Sequence, residues 1–256
     1  MPAYATALAG RRARLALLLA ACLLPRAAAA ALIDFETVPG VVHAEGIPIA
    51  DQYLSTVGVA FGLDLDGDRI PDPGAAPHLE QAGGASWSFI NDVDSSFDRP
   101  WPGTEAQLGE WFLGALLSGA GQAFMVTFTA SVATAGGLIW DIDGNPLQGT
   151  EQWLVEALDA SGSVLDTILS PLGADLSPDG LNGKPWPFQF DRPEQDIAAL
   201  RIEFVGTKTW GIGAGFESFA VAPDPLPTIP EPRSALLIAV GLAFLARPRR
   251  ASARAR

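Results

Sequence analysis

The chain of 256 residues is 48% hydrophobic, with seven Trp and thirteen Phe, enough to bury a sizeable core and too apolar for a disordered polymer. It carries 16 Lys and Arg against 29 Asp and Glu, but ten of the basic residues lie at the two ends, leaving six basic and 28 acidic side chains between residues 32 and 230. That middle, at a net charge of −22, repels nucleic acid and anionic lipid head groups, and Cys22, His43 and His78 are too few for a Cys/His zinc site.

The first element in chain order is an address. Arg11-Arg12-Ala13-Arg14 supplies positive charge, Leu15–Leu24 an apolar run, and Ala27–Ala31 a stretch of small residues. This order predicts a secretory signal over residues 1–31, removed by signal peptidase. The run is too short to span a bilayer and lacks the period of an amphipathic helix. Leu19-Ala20-Ala21-Cys22 also resembles a lipobox, which leaves lipidation at Cys22 as the alternative to cleavage in the alanine run. The twin arginines lack the usual flanking residues of a twin-arginine export signal.

Beyond residue 31, apolar residues alternate with polar ones between clusters of Gly, Pro, Asp and Asn. Phe124, Val126, Phe128, Ala130 and Val132 take one face of residues 122–132, while Met125, Thr127, Thr129 and Ser131 take the other. That is the period of a half-buried strand. Shorter strands are predicted over residues 32–38, 57–61, 138–142, 152–159, 163–169, 200–205 and 215–221. Asp159-Ala160-Ser161-Gly162 predicts a hairpin turn, with Gly162 free to take φ > 0. Only residues 105–118 suggest a helix, and Gly109 and Gly114 weaken it. With no internal repeat and no helix–strand alternation, residues 32–222 read as one all-β domain, an antiparallel, jelly-roll-like β-sandwich.

The tail has three parts. Pro223-Asp224-Pro225-Leu226-Pro227 opens a stiff linker over residues 223–229. Pro230-Glu231-Pro232 follows, then the apolar stretch Ala235–Ala246, then the basic run containing Arg247, Arg249 and Arg250. Residues 230–256 resemble the PEP-CTERM sorting signal of Gram-negative bacteria with exopolysaccharide-rich envelopes. The resemblance implies cleavage by an exosortase near the tripeptide, and an exported body on the cell surface or in the matrix. Arg233, directly after the tripeptide, departs from the small residue usual there. The apolar stretch spans ~18 Å as a helix, less than a ~30 Å hydrocarbon core, so it suits a transient inner-membrane anchor with the arginines on the cytoplasmic side.

Leu32-Ile33-Asp34-Phe35-Glu36, the central residues 153–159 and Gly215-Phe216-Glu217-Ser218-Phe219 resemble, loosely, the β-sandwich bodies of PEP-CTERM proteins and galactose-binding-like carbohydrate modules. In those modules a structural calcium ties the first strand to the last. The resemblance implies Asp34, Glu36 and Glu217 as a second, weaker ligand set, against the alternative of exposed acids on a solvated face.

The sharpest constellation is Asp64-Leu65-Asp66-Gly67-Asp68-Arg69-Ile70-Pro71-Asp72. Calcium takes about six to eight oxygens, and alternating carboxylates on a curled backbone supply much of that shell. The run resembles the calcium loops of thrombospondin type three repeats and EF-hand relatives, which implies Asp64, Asp66, Asp68 and Asp72 as ligands of Ca2+. Arg69 stands where those loops place glycine. The other reading is a solvated acidic turn. Asp141-Ile142-Asp143-Gly144-Asn145-Pro146 is a weaker echo that reads more readily as a turn.

Seven Trp invite a glycan-stacking platform. Trp140 and Trp153 belong to alternating strands and so to the core, whereas Trp101 and Trp186 are each flanked by prolines in loops and are the candidates for exposure. Neither His has a recognisable nucleophile motif beside it, and with 28 acids a carboxylate pair for glycoside hydrolysis carries no information. The expectation is a non-catalytic module that binds calcium and surface polysaccharide. The alternatives are a purely structural acidic matrix protein and, more remotely, a glycoside-active enzyme.

Overall fold

The computed structural model describes residues 31–82, 102–114, 117, 121–145, 149–173, 181–209, 212 and 214–222. Residues 1–30 of the expected signal segment, with Cys22, and the linker, the sorting tail and Trp101 lie outside the described residues, whereas Ala31 already belongs to the first strand. Among the described residues no helix is long and apolar enough to cross a membrane.

Among the described residues thirteen strands run in chain order: β1 (Ala31–Ile33), β2 (Val59–Asp64), β3 (His78–Gln81), β4 (Trp111–Gly114), β5 (Ala123–Val132), β6 (Thr134–Ile142), β7 (Gly144–Asn145), β8 (Gly149–Thr150), β9 (Trp153–Leu158), β10 (Val164–Leu169), β11 (Leu181–Asp191), β12 (Ile197–Phe204) and β13 (Gly215–Ala222). One sheet has the order β11-β6-β13-β4-β3, with β1 also on β13; the other has the order β10-β9-β12-β5-β2. Every ladder is antiparallel, and β7–β8 is a separate two-stranded ladder.

The two large sheets form a β-sandwich whose core the alternation predicts. Phe124 of β5 stacks on Phe216 of β13 with ring centroids 4.4 Å apart, and Trp153 of β9 meets Phe216 edge-on. Trp140 and Trp153 are fully buried. The Asp159–Gly162 turn forms as expected: Asp159 Oδ1 accepts the N–H groups of Ser161 and Ser163, and Gly162 has φ 79. Those bonds, led by the Ser161 hydroxyl, hold the Asp159 carboxyl below the usual carboxylate range.

Three local expectations are corrected. The helix proposed over residues 105–118 is one turn, Glu105–Leu108, because Gly109 at φ 73 ends it and the chain enters β4. The first strand stops at Ile33, where Phe35 at φ 56 turns the chain inward and packs its ring against Tyr53, Phe61 and Phe219. Asp34 and Glu36 therefore leave the sheet. Finally, Leu181–Asp191 is a strand despite Pro185 and Pro187, which are tolerated because β11 is an edge strand.

Candidate metal centres

Asp64 ends β2 and organises the loop that follows. Its Oδ1 accepts the Gly67 N–H at 2.7 Å, and its Oδ2 accepts the Arg69 N–H at 3.1 Å. Asp66 Oδ1 accepts the Asp68 N–H, Asp68 Oδ1 the Ile70 N–H, and Asp72 Oδ2 the Leu65 N–H at 2.6 Å. These bonds curl the backbone through two left-handed residues, Gly67 at φ 82 and Arg69 at φ 69. The strain expected of a non-glycine residue at position 69 is present. The Arg69 guanidinium donates to Glu156 Oε1 at 3.1 Å.

The curl brings one oxygen each of Asp64, Asp66 and Asp72 within 4.8 Å of one another. Asp68 is not in that group; its carboxylate is turned to Ile70. A carboxylate has about four lone-pair sites, so the backbone bonds leave acceptor capacity on all three.

A feature that the sequence reading missed lies beneath the loop. Arg201 of β12 donates from Nε to Asp64 Oδ2 at 2.9 Å, from Nη1 to Glu156 Oε2 at 3.2 Å and to Glu203, and from Nη2 to the Gly121 carbonyl. The two guanidinium groups bond Asp64, Glu156 and Glu203, and the loop adds the carboxylates of Asp66 and Asp72, five acids beside two cations. The charge deficit suits a divalent cation at the converging oxygens, although Asp64 already shares one oxygen with an arginine.

The second expected set gathers at a gap in the first sheet. One edge of β13 is paired with β4 at Gly215 and Phe216, then with β1 at Phe219–Val221. Between them Ser218 takes φ 54 and the register to β6 shifts. Glu217 occupies that break, 1% exposed, and lines a cavity of ≈ 300 Å³ with Asp34, Glu36 and Gly109. No basic side chain lines this cavity among the described residues. Glu217 Oε2 has no hydrogen-bond partner among them. Burial first, then Asp34 and Glu36, push the Glu217 carboxyl up to about 10, against a partly offsetting bond from the Ser218 N–H. Burial, Asp34 and Glu217 likewise raise the Tyr53 hydroxyl, which donates to the Thr37 carbonyl.

Glu36 is held in place. Its Oε1 accepts the N–H groups of Glu110 at 2.5 Å and Trp111 at 3.1 Å, and it fills the space a side chain at Gly109 would need. The three carboxylates do not close to the 4.8 Å spacing found in the loop. The loop has convergence with partial neutralisation; the cavity has uncompensated acid without convergence.

Asp141 and Asp143 do not act as a pair. Asp141, at φ 65, accepts the Gly183 N–H, whereas Asp143 meets Lys208. Trp186 is half-buried, packs on the main core and lies beside Phe188. On the outer face of the second sheet, a groove of ≈ 490 Å³ runs between the 68–71 loop and the 159–162 turn. Arg69, Asp159 and Ser161 line it above a floor containing Met125 and Leu158.

No family model matches the chain, and no curated protein matches it. Among solved structures it is similar to a DUF4465 family protein from Bacteroides caccae, at 11% identity and a TM-score of 0.41, over 77% of this chain and 100% of that one. A cyclase from Fischerella sp. TAU gives 16% identity and a TM-score of 0.40 over 77% of this chain and 100% of that one. TmCBM61, solved in complex with β-1,4-galactotriose, gives 9% identity and a TM-score of 0.34 over 67% and 94%.

Proposed function

We propose that this chain is an exported, non-catalytic module of the cell surface or extracellular matrix. In this reading its body is a jelly-roll-like sandwich that binds calcium at the Asp64–Asp72 loop and presents the adjoining groove to surface polysaccharide. The observation that carries the reading is the convergence of Asp64, Asp66 and Asp72 within 4.8 Å on a loop that also forms one wall of the groove. Calcium would draw Asp66 and Asp72 to one point and stiffen that wall, while Arg69 and Ser161 offer donors to sugar hydroxyls. Asp34, Glu36 and Glu217 are the second cation set. The order of tripeptide, apolar stretch and arginine cluster supports sorting by an exosortase after transient anchoring in the inner membrane.

A structural matrix protein that gathers calcium without recognising a glycan is the second reading. It is favoured by the charge of −22 over residues 32–230 and by the absence of any aromatic residue among those lining the groove. Binding of the chain to a panel of purified polysaccharides, with calcium and with chelator, separates the two. Saturable, calcium-dependent binding with defined stoichiometry supports the module. Calcium uptake without affinity for any soluble glycan supports the matrix protein, and neither uptake nor binding sinks both.

A further inference from the structure

Among the described residues, the most deeply buried ionic cluster is absorbed by neither reading. Lys208, with its side chain 0% exposed, places Nζ 2.8 Å from Asp143 Oδ1 and 3.4 Å from Glu151 Oε1; those carboxylates are 1% and 0% exposed. Burying an ammonium strips it of its hydration, and pairing with carboxylates repays this only where the geometry is good. An arrangement so enclosed invites the question of what the three groups do together.

The backbone fixes all three. The Glu151 N–H donates to the Asp143 carbonyl at 2.7 Å, the Lys208 N–H to the Thr150 carbonyl at 3.1 Å, and the Gly173 N–H to the Glu151 carbonyl at 2.8 Å. Glycines permit this approach: a Cβ at Gly173 would overlap the Asp143 carbonyl, and one at Gly206 would overlap the Thr150 carbonyl. Asp143 directly follows β6 of the first sheet, whereas Lys208 follows β12 of the second. The cluster therefore lies where the two sheets meet at one end of the sandwich.

We propose that Lys208 and Asp143 are joined by an intramolecular isopeptide bond, formed by the fold itself with Glu151 as the proton-transfer group. A nitrogen at 2.8 Å from Oδ1 is next to the carbon that Oδ1 is bonded to, and reacting atoms about 3–3.5 Å apart in a fixed geometry gain a large effective concentration. Low dielectric around the cluster disfavours separated charges and so favours passing a proton from ammonium to carboxylate.

The step balances within the three side chains. Glu151 takes one proton from the Lys208 ammonium, and the freed amine pair attacks Asp143 Cγ to form the C–N bond. The nitrogen then yields a second proton to the departing Asp143 oxygen, and Glu151 returns the first to the same oxygen. The C–O bond breaks and one water leaves; Glu151 ends as it began, and no oxidant or cofactor is used. Enclosure keeps bulk water from reversing the reaction. The product replaces a buried ion pair by an amide and links the two sheets covalently in a chain whose single Cys forms no internal disulfide.

The test is peptide mapping of the purified full chain by mass spectrometry after complete denaturation and trypsin digestion. Trypsin needs a free lysine side chain. The expected result is no cleavage after Lys208 and a branched peptide carrying Asp143 and Lys208, lighter by one water than its two linear components. Linear peptides ending at Lys208, or a branch on Glu151 in place of Asp143, would overturn the proposal. Glu151→Gln keeps size and burial but cannot accept the proton, so that variant should yield mainly the linear peptide ending at Lys208. Full crosslinking in Glu151→Gln would remove Glu151 from the chemistry. The mapping of the unaltered chain decides the bond even where a variant fails to fold.

Discussion

Arg201 and Asp64 stand 137 positions apart in the sequence and 2.9 Å apart in the fold, both almost wholly shielded from water. The contact ties the central strand of the second sheet to the start of the acidic loop. Glu156, the direct cross-strand neighbour of Arg201, completes the link by bonding Arg69 as well.

Removing this guanidinium should be costly. Arg201→Met keeps the apolar stem but leaves Asp64 buried without its guanidinium and Glu156 with Arg69 alone, a loss of about 3–5 kcal/mol. At roughly 2–4 °C per kcal/mol for a domain of this size, thermal unfolding should shift down by roughly 6–20 °C. Arg201→Lys restores one charge but not the fork that reaches several acceptors, so its midpoint should fall between the two. A melt of Arg201→Met within a degree of the parent would refute the role given to the network.

Glu217 predicts a pH effect of definite sign. Its folded-state value of about 10 exceeds the ordinary 4.5, so the unfolded chain gives up this proton well before the folded one. The native state binds more protons between those values, and this group's contribution to stability falls as pH rises from about 4.5 towards 10. In metal-free buffer, Glu217→Gln should leave the midpoint nearly unchanged at pH 4 and raise it by a few degrees at pH 8, since the amide has no charge to bury. Equal effects at both pH values would show that Glu217 is not held protonated.

The ends predict processing. Mature protein recovered from its native host should lack residues 1–30 and the segment after Pro232, as measured by mass spectrometry. An exported chain that still ends at Arg256 would exclude the sorting reading.

Much of the sandwich was legible because alternation survives wherever one face meets the core: Phe124 and Val126 of β5 point inward as the pattern required. Their neighbour Met125, on the other face, is also buried, at the floor of the groove that Arg69 and Ile70 line. The loop could be read as a ligand set from the spacing of its acids. Arg201 could not, since its importance depends on the register that sets it opposite Glu156 and beside Asp64. Lys208 was hidden for the same reason, lying 65 and 57 positions from the carboxylates it meets. Strand β11 escaped because prolines argue against a strand until its edge position is known.

The most direct measurement is the thermal midpoint of the chain in calcium, in magnesium, and in sodium chloride of matched ionic strength, compared with an Asp66→Asn, Asp72→Asn double variant. Asparagine retains the oxygens that accept the Asp68 and Leu65 N–H groups, so the loop keeps its shape while losing two anionic ligands. At a hundred times Kd, binding to the native state adds about 2.7 kcal/mol, or roughly 5–11 °C for this domain size. The loop assignment predicts that rise in calcium, a smaller one in magnesium because of its tighter octahedral demand, and little in the double variant. A rise that magnesium or sodium chloride reproduces, or that the double variant keeps in full, would contradict it.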